Sequence, residues 1–164
     1  MEVKLKIELS SSSKKEINKW LKKFPDGAKH SAIIPALTIV QKENKGSLTK
    51  EIIIAVAQYL DVASSVVYEV ATFYKMYELE PIGKYKISVC TNISCMLCNA
   101  YNIAAYLKEK LAISFGGTTK DGKFSLQEVE CLGACDGAPA MLINDKLYFD
   151  LTLDKIDSIL SKLE

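Results

Sequence analysis

Residues 84–98 of the chain read KYKISVCTNISCMLC. Polar and apolar residues alternate over 84–89, which is the pattern of a half-buried β-strand that ends at Cys90. Two further cysteines follow in what the sequence indicates is a loop, and the apolar spacing from Asn99 to Leu111 then predicts a helix. A strand, a cysteine-bearing loop and a helix in this order indicate the beginning of an α/β unit.

The rest of this unit follows from the same kind of pattern. A second strand is predicted at Phe124 to Val129, and Asn144-Asp145 predicts a hairpin between Ala140 to Ile143 and Lys146 to Phe149. Thr152 is positioned to cap a final amphipathic helix. The second half of the chain therefore reads as strand, helix, strand, hairpin and helix.

The first half has helical periodicity instead, from Ser11 to about Tyr74. Four short helices are predicted, the first from a capping box of Ser13 and Glu16, the second from a cap at Ser31 and the third from a cap at Thr49. The pattern changes after Pro81 and Gly83. We therefore predict an α+β or α/β protein in two domains, with a small helical bundle in 1–80 and an α/β domain in 81–164.

Composition excludes several classes of function. The 164 residues carry 21 basic and 20 acidic side chains, and every basic one is Lys. Without Arg and with a net charge of +1, the chain is not expected to bind nucleic acid. The segment Met1 to Leu9 lacks the apolar run of a secretory signal, and the run Ile52 to Ala57 is too short for a membrane span. We expect a protein of a reducing compartment, where cysteines are metal ligands or redox groups.

All five cysteines lie in the second half, as C-x4-C-x2-C at Cys90, Cys95 and Cys98 and as C-x3-C at Cys131 and Cys135. Four thiolates in two close pairs are suited to a 2Fe-2S cluster, with small residues allowing close backbone approach. Structural zinc is the second interpretation, although zinc knuckles favour C-x2-C. A C-x-x-C dithiol at Cys95 and Cys98 is the third, and buried cysteines that serve as small apolar side chains are the fourth.

Spacing alone leaves the ligands of a cluster open. Cys90, Cys95 and Cys98 reproduce the plant-type run, which needs one further ligand downstream. The other set takes both loops in pairs, as Cys90, Cys95, Cys131 and Cys135, and leaves Cys98 as the spare thiol. The second set accounts for more of the sequence.

Several longer segments are those of a known family. They are Phe24-Pro25, Val70-Ala71-Thr72-Phe73-Tyr74, Val89-Cys90-Thr91-Asn92 and Glu130-Cys131-Leu132-Gly133-Ala134-Cys135 with Ala138-Pro139. From about Phe24 onward the chain resembles the thioredoxin-like 2Fe-2S ferredoxins, the family of the 24 kDa-type (E) subunit of respiratory complex I. The resemblance implies a thioredoxin-like second domain with one 2Fe-2S cluster on Cys90, Cys95, Cys131 and Cys135. Asn99 stands where the family usually has Gly.

The resemblance also implies what the chain does. The cluster would exchange single electrons with FMN in an NADH-binding flavoprotein subunit of NADH:quinone oxidoreductase, on the cytoplasmic peripheral arm of a membrane-bound complex. No nucleotide-binding motif is visible in the sequence, so we predict no catalytic residue in this chain. Similar subunits serve NAD-linked hydrogenases and formate dehydrogenases, and a homodimer is a further possibility for the isolated chain. The aromatic-rich run Ala71 to Tyr77 prompts the hypothesis that the helical half also docks a partner.

Overall fold

The computed structural model describes residues 8–163, so most of the segment Met1 to Leu9, on which the expectation of no secretory signal rests, lies outside the described residues. The chain divides into two compact units, Met1–Pro81 and Ile82–Glu164. Among the described residues, no helix is long and apolar enough to cross a bilayer.

The first unit contains four helices around one apolar core, as predicted. They are α1 (Ser11–Leu21), α2 (Ile33–Glu43), α3 (Lys50–Leu60) and α4 (Ser64–Phe73). The side chains buried between them include Ile17, Leu37, Ile53 and Val67, at the helical spacing that the sequence shows. Tyr77, after α4, also belongs to this core, and its hydroxyl donates to the Ile34 carbonyl at 2.8 Å.

Two of the three predicted helix caps in this unit are wrong. The cap of α1 is Ser10, whose side chain accepts from the Ser13 backbone N–H at 3.0 Å. Ser13 itself is buried and its hydroxyl donates to the Glu43 carboxylate at the end of α2. Ser31 does not cap α2, because a 3-10 turn over Lys29–Ala32 leads directly into that helix. Thr49 caps α3 as predicted.

The second unit is a five-stranded mixed sheet with helices. Its strands are β1 (Tyr85–Cys90), β2 (Gly117–Thr118), β3 (Phe124–Val129), β4 (Met141–Ile143) and β5 (Lys146–Tyr148), in the order β2-β3-β1-β4-β5. The helices are α5 (Ile93–Leu97), α6 (Ala100–Leu111) and α7 (Leu153–Leu160). This agrees with the predicted order of elements, with α5 and β2 added.

The central strand β1 differs from the prediction of a half-buried strand. It pairs in parallel with β3 and antiparallel with β4, so it has no free edge. Its second half is buried on both faces, with Ser88 and Cys90 as fully enclosed as Ile87 and Val89. The face of β1 that carries Ser88 and Cys90, which the polar residues led us to expect in solvent, is therefore covered as well.

The hairpin and the last helix confirm their sequence signals. Asn144 adopts the left-handed conformation at φ 52°, as a tight hairpin turn requires. Its amide group also anchors the turn to the start of β1, accepting from the Lys86 N–H at 2.8 Å and donating to the Lys84 carbonyl at 3.1 Å. Thr152 caps α7 by accepting from the Lys155 N–H.

Candidate functional site

The two cysteine-bearing loops lie at one edge of the sheet. The parallel register aligns Cys90, the last residue of β1, with Val129, the last residue of β3. Because parallel strands end on the same side, the loop with Cys95 and the loop with Cys131 and Cys135 leave the sheet next to each other. Thr91 ties them together, since its N–H donates to the Val129 carbonyl at 3.3 Å.

Cys90 and Cys95 form the buried half of the site. Their side chains are 4% and 2% exposed, and they pack with Ala100, Ala134 and Ala140 in a small cluster of their own. The Cys90 thiol donates to the Glu130 carbonyl of the other loop at 3.6 Å.

Cys95 is electrostatically linked to two other cysteines. Burial raises the pKa of the Cys95 thiol, and a hydrogen bond with Cys90 and the nearby Cys135 raise it further, whereas a backbone hydrogen bond from Ala140 lowers it. Because a metal binds the thiolate, a metal ion bound at Cys95 would displace the thiol proton. The same residue, Ala140, accepts from the Cys90 N–H at 3.1 Å, so its backbone serves both buried cysteines.

Cys131 and Cys135 form the exposed half. The Cys131 sulfur accepts from the Gly133 N–H at 3.3 Å, and Gly133 has a φ of 66°, which glycine adopts without strain. Cys135 begins a 3-10 turn that ends at Gly137. The Gly137 carbonyl accepts from the Asp150 N–H at 2.8 Å, which fastens this turn to the segment before α7.

Cys98 occupies a different position. It follows α5 as its C-terminal cap residue and its side chain is exposed. The next residue, Asn99, has a φ of 67°, a left-handed conformation that glycine adopts without strain and that Asn tolerates. The sequence alone suggested a loop here, because five helical residues are too few to show an apolar period. The signal that could have revealed α5 is Asn92, whose side chain caps it by accepting from the Ile93 N–H at 2.8 Å.

The donor set fits a cluster better than a single ion. Within residues 8–163, no three Cys, His, Asp or Glu side chains are arranged to hold one metal ion. A 2Fe-2S cluster divides four thiolates between two irons, so its ligands surround an extended group. Two neighbouring segments, one with Cys90 and Cys95 and the other with Cys131 and Cys135, offer that arrangement. The backbone N–H groups of Gly133 and Ala140 are already directed at sulfur.

Comparison with known proteins agrees with a 2Fe-2S site. Residues 17–164 match the family model described as thioredoxin-like [2Fe-2S] ferredoxin. The E subunit of NADH-quinone oxidoreductase from Rickettsia bellii (strain RML369-C) is 48% identical over 143 residues, which are 87% of this chain and 86% of that protein. The corresponding E subunit from Rickettsia conorii (strain ATCC VR-613 / Malish 7) is 43% identical over 162 residues, with 97% of each chain covered.

The solved structures show the fold. An NAD+-reducing [NiFe]-hydrogenase in the air-oxidized state superposes with a TM-score of 0.66 at 21% identity, over 77% of this chain and 22% of the hydrogenase chain. This chain thus corresponds to about a fifth of that longer one. The predicted thioredoxin-like α/β architecture is confirmed by the family match together with this superposition.

Proposed function

Because the chain belongs to the thioredoxin-like [2Fe-2S] ferredoxin family, we propose that it is the electron-transfer subunit of an NADH:quinone oxidoreductase and that Cys90, Cys95, Cys131 and Cys135 hold its 2Fe-2S cluster. The observation that carries the assignment of ligands is the parallel β1–β3 pairing, which brings the two cysteine loops to one edge. Cys98 is left out because it follows the end of α5, whereas Cys95, inside α5, packs with Cys90 and with Ala134 of the second cysteine loop.

The residues of the chain have separate tasks in this proposal. The bound cluster would supply one-electron oxidation and reduction. The buried pair Cys90 and Cys95 and the exposed pair Cys131 and Cys135 would hold it through their thiolates. The backbone N–H groups of Gly133 and Ala140 donate to sulfur, which favours the reduced, more negative state and so raises the reduction potential.

The electron's source and destination lie in partner subunits. Relatives that are 43–48% identical are named as E subunits of NADH-quinone oxidoreductase, which supports a flavoprotein partner with FMN and an NADH site and supports a place on the cytoplasmic peripheral arm of complex I. These relatives favour complex I over the hydrogenase and formate dehydrogenase alternatives. We further propose that the two units act as domains, 1–80 and 81–164, and the homodimer of the isolated chain stays a prediction.

The decisive experiment is anaerobic purification of the chain with the flavoprotein subunit from the same genome. We expect two irons and two sulfides per chain, visible absorption that bleaches with NADH, and a low-temperature EPR signal from the reduced protein. A colourless, EPR-silent protein with two redox-active thiols would support the dithiol function of Cys95 and Cys98 instead.

The ligand set is tested by serine substitution with a matched control. We expect Cys131→Ser and Cys135→Ser to lose the cluster or to shift its EPR g values, whereas Cys98→Ser keeps iron content, absorption and EPR unchanged. Loss of the cluster in Cys98→Ser would show that the plant-type set is the correct one.

A further inference from the structure

One side of the cysteine site exposes large apolar side chains. Ile93 and Leu97 are 68% and 75% exposed on α5, and Met96 and Tyr101 are exposed beside them. We call these four residues, together with the exposed Cys98, the α5 face. The helix turns only Cys95 inward, and α6 begins with the buried Ala100, so the α5 face adds nothing to the core of the unit.

The surroundings of the α5 face are depleted of charge. Charged residues make up 25% of the chain, yet residues 87–107 contain none. Residues 124–145, which include the other cysteine loop, contain no lysine. The acidic residues of that segment at the same edge of the sheet are Glu128, Glu130 and Asp136, all exposed. The result is a neutral apolar centre bordered by negative charge.

This distribution is that of a protein-binding surface. Interface centres are depleted of charged residues and enriched in aromatic residues and Met, and a polar rim surrounds them. Single exposed apolar residues are ordinary on any protein, but four within nine residues of sequence, beside a redox site, form one patch. A partner's apolar surface would cover the centre, and basic side chains would complement the acidic border.

We propose that the α5 face is where the NADH-oxidising flavoprotein subunit docks. The partner's contact surface would be apolar at its centre and basic at its border. The inference rests on the proposed function, because it takes the electron donor as the occupant. It goes further by naming the contact residues. Docking here would place the partner directly over α5, whose inward side carries the ligand Cys95, so only the thickness of one short helix would separate it from the site.

Cys98 provides a native probe of the contact. In the free holoprotein it is the one cysteine outside the proposed ligand set, and it is exposed. We expect N-ethylmaleimide, followed by intact mass, to alkylate it rapidly in the free chain. In the purified complex with the flavoprotein subunit, the alkylation rate should fall by at least about tenfold, because interface centres exclude water.

Substitutions then separate the α5 face from the rest of the surface. Leu97→Lys should weaken binding to the flavoprotein subunit by about tenfold or more, as expected for an anchor residue at an interface centre. Leu153→Lys is the matched control, since Leu153 is 45% exposed in α7, and its binding should stay within about twofold of wild type. Glu130→Lys should slow association and reduce its salt dependence, whereas Glu109→Lys on α6 should not.

The outcomes distinguish this inference from the proposed function. Every variant is first checked for an unchanged visible spectrum and iron content, so that weaker binding reflects the surface alone. If wild type binds and is reduced by the flavoprotein subunit, but Leu97→Lys binds equally well and Cys98 stays reactive in the complex, the docking inference is wrong and the proposed function stands. If wild type neither binds nor is reduced, both fail.

Discussion

Gly137→Ala tests how tightly the exposed cysteine loop is held. A Cβ at position 137 would lie 2.6 Å from both Cβ and Cδ1 of Phe149, where ordinary contacts begin at 3.4 Å. The Phe149 ring can rotate, but its Cβ is fixed to the backbone. That backbone is held to the loop by the hydrogen bond from the Asp150 N–H to the Gly137 carbonyl. The two segments must therefore separate by about 1 Å to make room for the added methyl group, which is over-packing of a filled site.

Because the Phe149 backbone is held in place, we expect Gly137→Ala to lower the free energy of unfolding substantially. Over-packing of a well-filled site costs about 1–3 kcal/mol, and we expect Gly137→Ala to lie near 3 kcal/mol because backbone must move. Since Cys135, a ligand in the proposed set, is two residues away in the same turn, the protein should also release iron faster to a ferrous chelator in the presence of dithionite. Urea unfolding followed by far-UV circular dichroism measures the first effect, and absorbance of the iron–chelator complex measures the second.

Two controls make the result specific. Gly122→Ala introduces strain of about 1–2 kcal/mol through its φ of 68°, but its Cβ would meet nothing within 4 Å, so stability should fall without faster iron release. Phe149→Gly removes the clashing atoms, and in that background Gly137→Ala should cost about 1–2 kcal/mol less than in wild type. Equal stability and iron release in Gly137→Ala and wild type would refute the packing of this loop against Phe149.

Three further predictions concern the scaffold. The hydrogen bond from Ser13 lowers the pKa of Glu43 below its ordinary 4.5. The stability that this hydrogen bond contributes is therefore present above pH 4.5 and is lost as the pH falls through the lowered pKa. Glu43→Gln should remove this contribution to the pH dependence of unfolding, which tryptophan fluorescence measures. Tyr77→Phe should cost about 1 kcal/mol in urea unfolding because a buried donor to a carbonyl is lost, whereas Tyr74→Phe at an exposed position should be neutral. Asn144→Gly keeps the turn conformation but removes the hydrogen bonds to Lys84 and Lys86, so thermal unfolding should show that the free energy of unfolding falls by about 1–2 kcal/mol. An unchanged melting curve would count against the anchoring role.

The sequence predicted the helices and strands better than the tertiary contacts that decide where the helices are capped. Phe124–Val129 and the hairpin at Asn144 follow directly from local pattern and turn chemistry. The cap of α1 did not, because four consecutive serines compete at its start and a tertiary partner decides between them: Ser13 is buried against Glu43 and is therefore not the cap. The cap of α2 did not, because a 3-10 turn over Lys29–Ala32 leads directly into that helix. Local pattern contains no information about such distant partners.

The sequence likewise indicated which segments form the candidate site, but not how exposed each cysteine is. Strand ends followed by cysteines indicated which loops matter, and the family resemblance supplied one ligand set. The division into a buried pair, Cys90 and Cys95, and an exposed pair, Cys131 and Cys135, could not be predicted, since it depends on alanines distant in sequence that pack around the first pair. The aromatic run prompted a docking hypothesis that the structure corrects in one respect: Tyr77 is a core residue, while Phe73 and Tyr74 are exposed.

The parallel pairing of β1 and β3 links the loading of a cofactor to the folding of the chain. In an unfolded chain, Cys90 and Cys95 are separated from Cys131 and Cys135 by 35 residues of flexible polypeptide, and each pair alone can satisfy only half of a cluster. The four-thiol site comes into being when the sheet forms. Under the proposed ligand set, loading with iron and sulfide is therefore coupled to folding of the sheet, and a strand mutation far from any cysteine would appear in the cell as a defect in cofactor loading.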